Sequence, residues 1–166
     1  MKTLYLLRHA KSSWKFPELS DFDRPLNRRG KHDAPMMGKR LLKRGINPDL
    51  VMSSPALRAR KTAKAVAKKL NYSPSAIRYE PQVYEASVPE LLALLQSVPD
   101  QVQVLILAGH NPELTSFANQ LALCSIDNIV TAGVVAIEFP VDRWSDLSNE
   151  QPGQFLWYDY PKRKPS

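Results

Sequence analysis

The chain has 166 residues, 43% hydrophobic and 23% charged, which describes one ordinary globular domain long enough to bury a core without staples. A single cysteine, Cys124, excludes an internal disulfide and a thiolate zinc site, and no run approaches the roughly eighteen apolar residues of a membrane span. The net charge of +7 favours anionic partners such as phosphorylated molecules and acidic proteins. No basic stretch carries the interleaved aromatics of a single-strand nucleic-acid platform, so no specific nucleic-acid binding is expected. The apolar N-terminal stretch is cut by Arg8 and makes a poor signal peptide; the expected location is the cytoplasm, with no membrane partner.

In chain order, residues 3–7 (Thr-Leu-Tyr-Leu-Leu) suit a buried strand that breaks into Arg8-His9. Residues 11–27 are polar and irregular, and a loop of that length inside a compact domain is usually functional or mobile. Asp33 is placed to cap a helix with Pro35 in its first turn, which Gly45 ends. A short strand before Ser53-Ser54-Pro55 leads into a long helix stopped at Asn71. Residues 77–83 have strand character interrupted by Pro81, and residues 88–98 read as a helix. Residues 102–108 form the clearest buried strand, running into Gly109-His110-Asn111-Pro112 and a helix over 113–123. Strands at 134–139 and 154–160 follow. Alternating strands and helices predict an α/β fold: a single three-layer domain, with a mostly parallel central sheet of about six strands and helices on both faces. The domain is placed at residues 1–160, with a basic tail at 161–166 that should fray.

Ligands bind open α/β sheets just outside the carboxyl ends of the strands. Three such exits carry polar signals: Arg8-His9, Ser53-Ser54-Pro55-Ala56-Leu57-Arg58, and Gly109-His110. In a parallel sheet they share one edge. Two arginines, two histidines and free helix N-terminal amides there make an anion-binding cluster, since the arginine fork matches phosphate oxygens.

These blocks resemble the histidine phosphatase superfamily, which also includes phosphoglycerate mutases and acid phosphatases. Leu7-Arg8-His9, Ser-Ser-Pro-Ala-x-Arg-Ala-x-x-Thr from Ser53, and Gly109-His110-Asn111-Pro112 carry the likeness. The short length and the segment Asp21-Phe22-Asp23-Arg24-Pro25-Leu26 are most similar to its SixA-type phosphohistidine phosphatases. The resemblance implies that His9 is a nucleophile attacking phosphorus as neutral imidazole; a neighbouring backbone carbonyl could hold the proton on its other nitrogen, which the sequence does not show. Arg8, Arg58 and His110 would hold the phosphoryl oxygens. Such an electrostatic clamp requires no metal and no cofactor. Glu85 is the candidate proton donor for the leaving group, a role that calls for partial burial.

Around this core, Arg24 and Lys11 could bind substrate, although loop positions are commonly solvated. Trp14 could pack at the mouth of the site or anchor the loop, and Thr131 could reach the cluster from the far side. His32 reads as a surface residue and Cys124 as core-facing. The short gap between residue 77 and the helix at 88–98 leaves no room for the lid insertion of the mutase branch. The cleft should therefore be shallow and admit a phosphorylated side chain on another protein. The expected function is protein phosphohistidine dephosphorylation with water as final acceptor. The alternatives are a small-molecule phosphomonoesterase using the same cluster and, further off, a non-catalytic basic binding module.

Overall fold

The structure, a computed structural model, describes residues 1–164. Its centre is strand β1 (Lys2–Arg8), which pairs in parallel with β4 (Val104–Gly109) on one side and antiparallel with β5 (Val134–Phe139) on the other. With β2 (Leu50–Ser53), β3 (Arg78–Tyr79) and β6 (Gln154–Asp159), the six strands run in the order β3-β2-β4-β1-β5-β6. The first four in that order are mutually parallel; β5 and β6 run against them. The expected mostly parallel sheet is present.

Both faces of the central strands are buried, which is why β1 and β4 read as near-continuous apolar runs. Leu7 and Ile106 pack beneath α1 (Arg28–Lys43) and α2 (Leu57–Lys69) through Ala34, Met37, Leu41, Ala63 and Val66. Leu4, Leu6, Leu105 and Leu107 pack on the other face beneath α3 (Val88–Gln96) and α4 (Glu113–Ala122), through Leu91, Leu95, Phe117 and Leu121. Three layers result.

Two local expectations are corrected. Helix α1 begins at Arg28, capped by Asn27, whose side chain accepts the Gly30 N–H at 2.9 Å. Asp33 is instead buried inside the helix, 3.3 Å from Arg29, and Pro35 lies in the interior rather than the first turn. The earlier start has a tertiary cause: the first turn of α1 lies against the backbone leaving β1. A Cβ on Gly30 would sit 2.1 Å from the Lys11 carbonyl oxygen, so only glycine fits. Strand character at 77–83 shrinks to Arg78–Tyr79, because Pro81 opens a 3-10 turn over Pro81–Val83.

Residues 11–27 are not loose. Ser12 bridges Leu26, Ser13 N–H donates to Pro25 O at 2.8 Å and Asn27 N–H to Lys11 O at 3.0 Å. A 3-10 turn over Asp21–Asp23, capped by Ser20, sets the outer end of the segment. Of the basic tail, the Pro161 carbonyl accepts from Arg40 at 3.0 Å, while residues 165–166 lie outside the described residues.

Candidate active site

Strands β2, β4 and β1 are parallel neighbours, so their carboxyl ends open on one edge. Arg8 is the last residue of β1, with His9 beside it; Arg58 is in the first turn of α2 after β2; His110 follows β4. All seven residues expected to form the site (Arg8, His9, Lys11, Arg24, Arg58, Glu85 and His110) line one open cleft of about 420 Å³, as does Thr131.

His9 is only 7% exposed. Its Nδ1 lies 2.8 Å from the Ala10 carbonyl oxygen, and since a carbonyl can only accept, Nδ1 carries the proton and Nε2 is bare. Burial pushes the ring down to about 3, helped by the charges of His110, Arg58 and Arg8 and opposed by the bond to Ala10. The imidazole is therefore neutral at pH 7. The Ala10 peptide is itself pinned: its N–H donates to Thr62 Oγ1 at 2.9 Å, and the Thr62 hydroxyl donates to Arg58 O at 2.7 Å. One buried threonine thus ties the turn after β1 to the helix that carries Arg58.

Arg8 Nη1 donates to Ile129 O at 2.9 Å. Arg58 is 5% exposed, with Nη1 on Asp21 O at 2.6 Å and Nη2 on Asp21 Oδ2 at 3.0 Å. His110 Nε2 is 2.7 Å from Ser54 Oγ, and the two histidine rings lie 5.2 Å apart. Burial first, then the Arg58 charge, lowers His110 to about 4. Arg8 Nε, Arg24 Nε, Arg58 Nε and His110 Nδ1 are buried with no hydrogen-bond partner among the described residues, as are Arg60 Nε and the Tyr79 hydroxyl away from the cleft. Each such group costs roughly 1–3 kcal/mol. Four of these six atoms belong to residues that line the cleft, and the cationic side chains gathered there suit a tetrahedral oxyanion as ligand.

The outer wall answers the open positions. Arg24 is not solvated: its side chain is 12% exposed, bonded to Ser12 Oγ, and its guanidinium lies 3.8 Å from the centre of the Trp14 ring. Trp14 stands at the mouth, 78% exposed. Lys11 is exposed on the rim. Glu85 lines the cleft but is exposed, so the burial expected of a proton donor is missing; its φ of 59° is a strained left-handed conformation for a non-glycine residue. His32 is a surface side chain, 76% exposed, and Cys124 is half-buried against the core with Sγ 3.2 Å from Asn119 Oδ1.

Sequence reasoning did not single out Asp21, Tyr84, Ser54 or Thr62 as site residues. Asp21 is the largest omission, an anion inside a cationic cleft. Its carboxyl is held down at about 2, first by the Tyr84 hydroxyl at 2.7 Å, then by Arg58 and Arg24. The only signal for it was its place at the head of the Asp-x-x-Arg-Pro-Leu segment.

Fold and cleft together define a doubly covered α/β protein with a cationic clamp around a neutral histidine. Residues 4–103 match the histidine phosphatase superfamily (branch 1), and the chain belongs to that phosphatase family. Curated relatives include an uncharacterized protein of Mycobacterium tuberculosis, 31% identical over 157 residues that cover 89% of this chain and 93% of that one. Another is an uncharacterized chloroplastic protein of Arabidopsis thaliana, 31% identical over 75% of this chain and 61% of its own length. The chain thus spans about three fifths of the latter. Among solved structures, a candidate SixA phosphohistidine phosphatase of Agrobacterium tumefaciens is 27% identical, with a TM-score of 0.80 over 96% of this chain and 98% of that one. The protein histidine phosphatase SixA in complex with tungstate superposes with a TM-score of 0.80 at 22% identity, over 96% and 97% of the two chains. A mycobacterial glucosyl-3-phosphoglycerate phosphatase bound to VO3 shares the fold at a TM-score of 0.69 and 15% identity, over 95% and 99%. The fold is that of the SixA-type members.

Proposed function

We propose that this chain is a phosphohistidine phosphatase acting on a phosphorylated protein. The observation that carries the reading is His9: neutral, with Nδ1 tied to Ala10 and Nε2 bare, in a cleft lined by Arg8, Arg58 and His110. Nε2 attacks phosphorus, the bond from phosphorus to the leaving group breaks, and the phosphoryl group rides on His9 until water takes it. Arg8, Arg58 and His110 hold the equatorial oxygens, where charge must be stabilised as the group transfers. Arg8 and Arg58 supply the positive charge for that stabilisation and neutral His110 a hydrogen bond, so the proposed step uses no metal. Arg24 and Lys11 meet the substrate at the outer wall.

The open cleft favours a protein substrate. Only residues 80–87 separate β3 from α3, too few for a lid that closes over a small molecule. The exposed Glu85 fits a phosphoramidate, whose nitrogen leaving group departs without a well-placed acid. No helix among the described residues is long and apolar enough to cross a membrane, and the cytoplasm remains the proposed location. The second reading, a small-molecule phosphomonoesterase, has its support in the fold shared with the glucosyl-3-phosphoglycerate phosphatase.

The test is direct trapping. Incubated with a phosphohistidine protein and quenched, the wild type should carry acid-labile phosphate on His9. His9→Ala should carry none and lose at least about a thousandfold in turnover. Absence of both trapped phosphate and phosphate release would overturn the reading. Faster turnover of sugar or glycolytic phosphates than of the phosphoprotein would transfer it to the small-molecule class. Glu85→Gln should lose activity toward phosphomonoesters while sparing phosphohistidine; equal losses would restore Glu85 as an obligatory acid.

A further inference from the structure

A cleft that binds a phosphate dianion has reason to exclude carboxylates, yet Asp21 is held inside it. Its Oδ2 accepts from Arg58 Nη2 at 3.0 Å and from the Tyr84 hydroxyl at 2.7 Å, and Oδ1 lies 3.4 Å from Arg24 Nη2. Glu85 and Glu113, the other carboxylates lining the cleft, make no such bonds to the clamp among the described residues. Bracing Arg58 does not explain the arrangement, because the Asp21 main-chain oxygen already takes Arg58 Nη1 at 2.6 Å. The carboxylate is an addition to that brace. It is half exposed, so it has lone pairs to offer a molecule entering the cleft.

A phosphohistidine differs from a phosphomonoester on the leaving side. One ring nitrogen bears phosphorus; the other can carry a proton, and the ring is then a cation with an N–H donor pointing away from the phosphoryl group. We propose that Asp21 is the specificity residue that reads this group, its carboxylate accepting the N–H of the ring nitrogen distal to phosphorus. The inference rests on the phosphohistidine reading above. In the step it serves, the His9 Nε2 lone pair forms the new nitrogen–phosphorus bond. The scissile bond breaks, and its electron pair returns to the leaving ring nitrogen. The ring departs as neutral imidazole, keeping its distal proton, so no acid has to supply one. The fixed negative charge favours the protonated ring that can leave this way. Held well below the ordinary carboxylate range by Tyr84 and the arginines, Asp21 keeps that charge throughout the pH range in which the ring titrates. A departing alkoxide or phenoxide offers it neither a cation nor a donor.

The test compares phosphoimidazole with p-nitrophenyl phosphate. Asp21→Asn keeps an oxygen for Arg58 and Tyr84 but removes the charge. It should lower kcat/KM on phosphoimidazole about 10- to 100-fold more than on p-nitrophenyl phosphate, the range of a hydrogen bond to a charged partner. The basic limb of the kcat profile on phosphoimidazole should lie about one pH unit or more higher in the wild type than in the variant. Tyr84→Phe, which loosens the carboxylate without removing it, should give a smaller loss with the same substrate bias. Equal losses on both substrates would make Asp21 a brace for Arg58, and equal gains would make it a plug displaced by phosphate; either overturns the proposal and leaves the phosphohistidine reading intact. A wild type that does not hydrolyse phosphoimidazole but does label His9 from p-nitrophenyl phosphate would overturn both.

Discussion

Strand β1 carries a cation at each end, on the same face of the sheet. Side chains alternate along a strand, so Lys2, Leu4, Leu6 and Arg8 point one way. At the amino end Lys2 is fully buried, and its ammonium is satisfied by the carbonyls of Asp100 and of Val102, the latter at 2.9 Å; Trp144 Nε1 also donates to Val102 O, at 2.7 Å. At the carboxyl end Arg8 is half-buried, with Nη1 on Ile129 O and Nε without a partner among the described residues, next to neutral His9. One end closes its polar account and holds the molecule together. The other leaves donors unmatched and accumulates positive charge beside a buried base, which stability alone does not reward. The contrast teaches that burial of a cation does not by itself mark function; the gathering of such cations and their unmatched donors around one neutral histidine does.

Mutation should separate the two ends. The largest effect is expected at the carboxyl end: Arg8→Ala should lower kcat by about 10²- to 10³-fold, the usual loss for one member of an oxyanion clamp, with Tm within a few degrees of wild type. At the amino end Lys2→Met should do the reverse. The Asp100 carbonyl loses its donor and Val102 O keeps only Trp144 Nε1, stability falls by about 1–3 kcal/mol in denaturant unfolding, and kcat of the folded protein is unchanged.

Acid should also distinguish the ends. His9 and His110 sit at about 3 and about 4 in the folded protein, below the ordinary histidine value near 6.5. Above about pH 6.5 both states are neutral and neither ring affects the balance. Below it the unfolded chain takes up protons that the folded chain refuses. Stability should therefore fall as pH drops from about 6.5 toward 4, by up to about 1.4 kcal/mol per pH unit for each ring. Unfolding measured at pH 7, 6 and 5 should show this slope, reduced in His9→Asn and unchanged in Lys2→Met.

The smallest effect is expected from the connection between the site's parts. Thr62→Val removes the hydroxyl that holds Ala10 N–H, loosening the carbonyl that sets the His9 tautomer. It should lower kcat about threefold to tenfold, and Thr62→Ser should restore it. Recovery in the serine variant identifies the hydroxyl, rather than packing, as the cause.

Much of the fold was legible in the chain because its signals are local. Apolar runs gave the strands, and the motif blocks stand at strand exits, so the parallel sheet brings Arg8, His9, Arg58 and His110 to one edge. Less local features were misread or missed. Asp33 has the chemistry of a helix cap, but α1 starts earlier because Asn27 and Gly30 pack on the chain leaving β1. Glu85 follows a strand-like segment, and only the fold shows that it lies exposed on the rim of the cleft. The Asp21 carboxylate meets Arg58 across 37 residues and Tyr84 across 63, and no local pattern records either contact.

By itself, then, the sequence determined the α/β class and the identity of the residues at each strand exit, because periodicity and strand-to-helix turns are written within a few neighbouring positions. Tertiary structure decided the protonation and pairing of those residues. The Ala10 carbonyl selects the His9 tautomer, burial among cations keeps both histidines neutral, and a loop from residues 11–27 delivers a carboxylate to the mouth of the clamp. These depend on desolvation and on distances between remote segments, which exist only once the chain has folded.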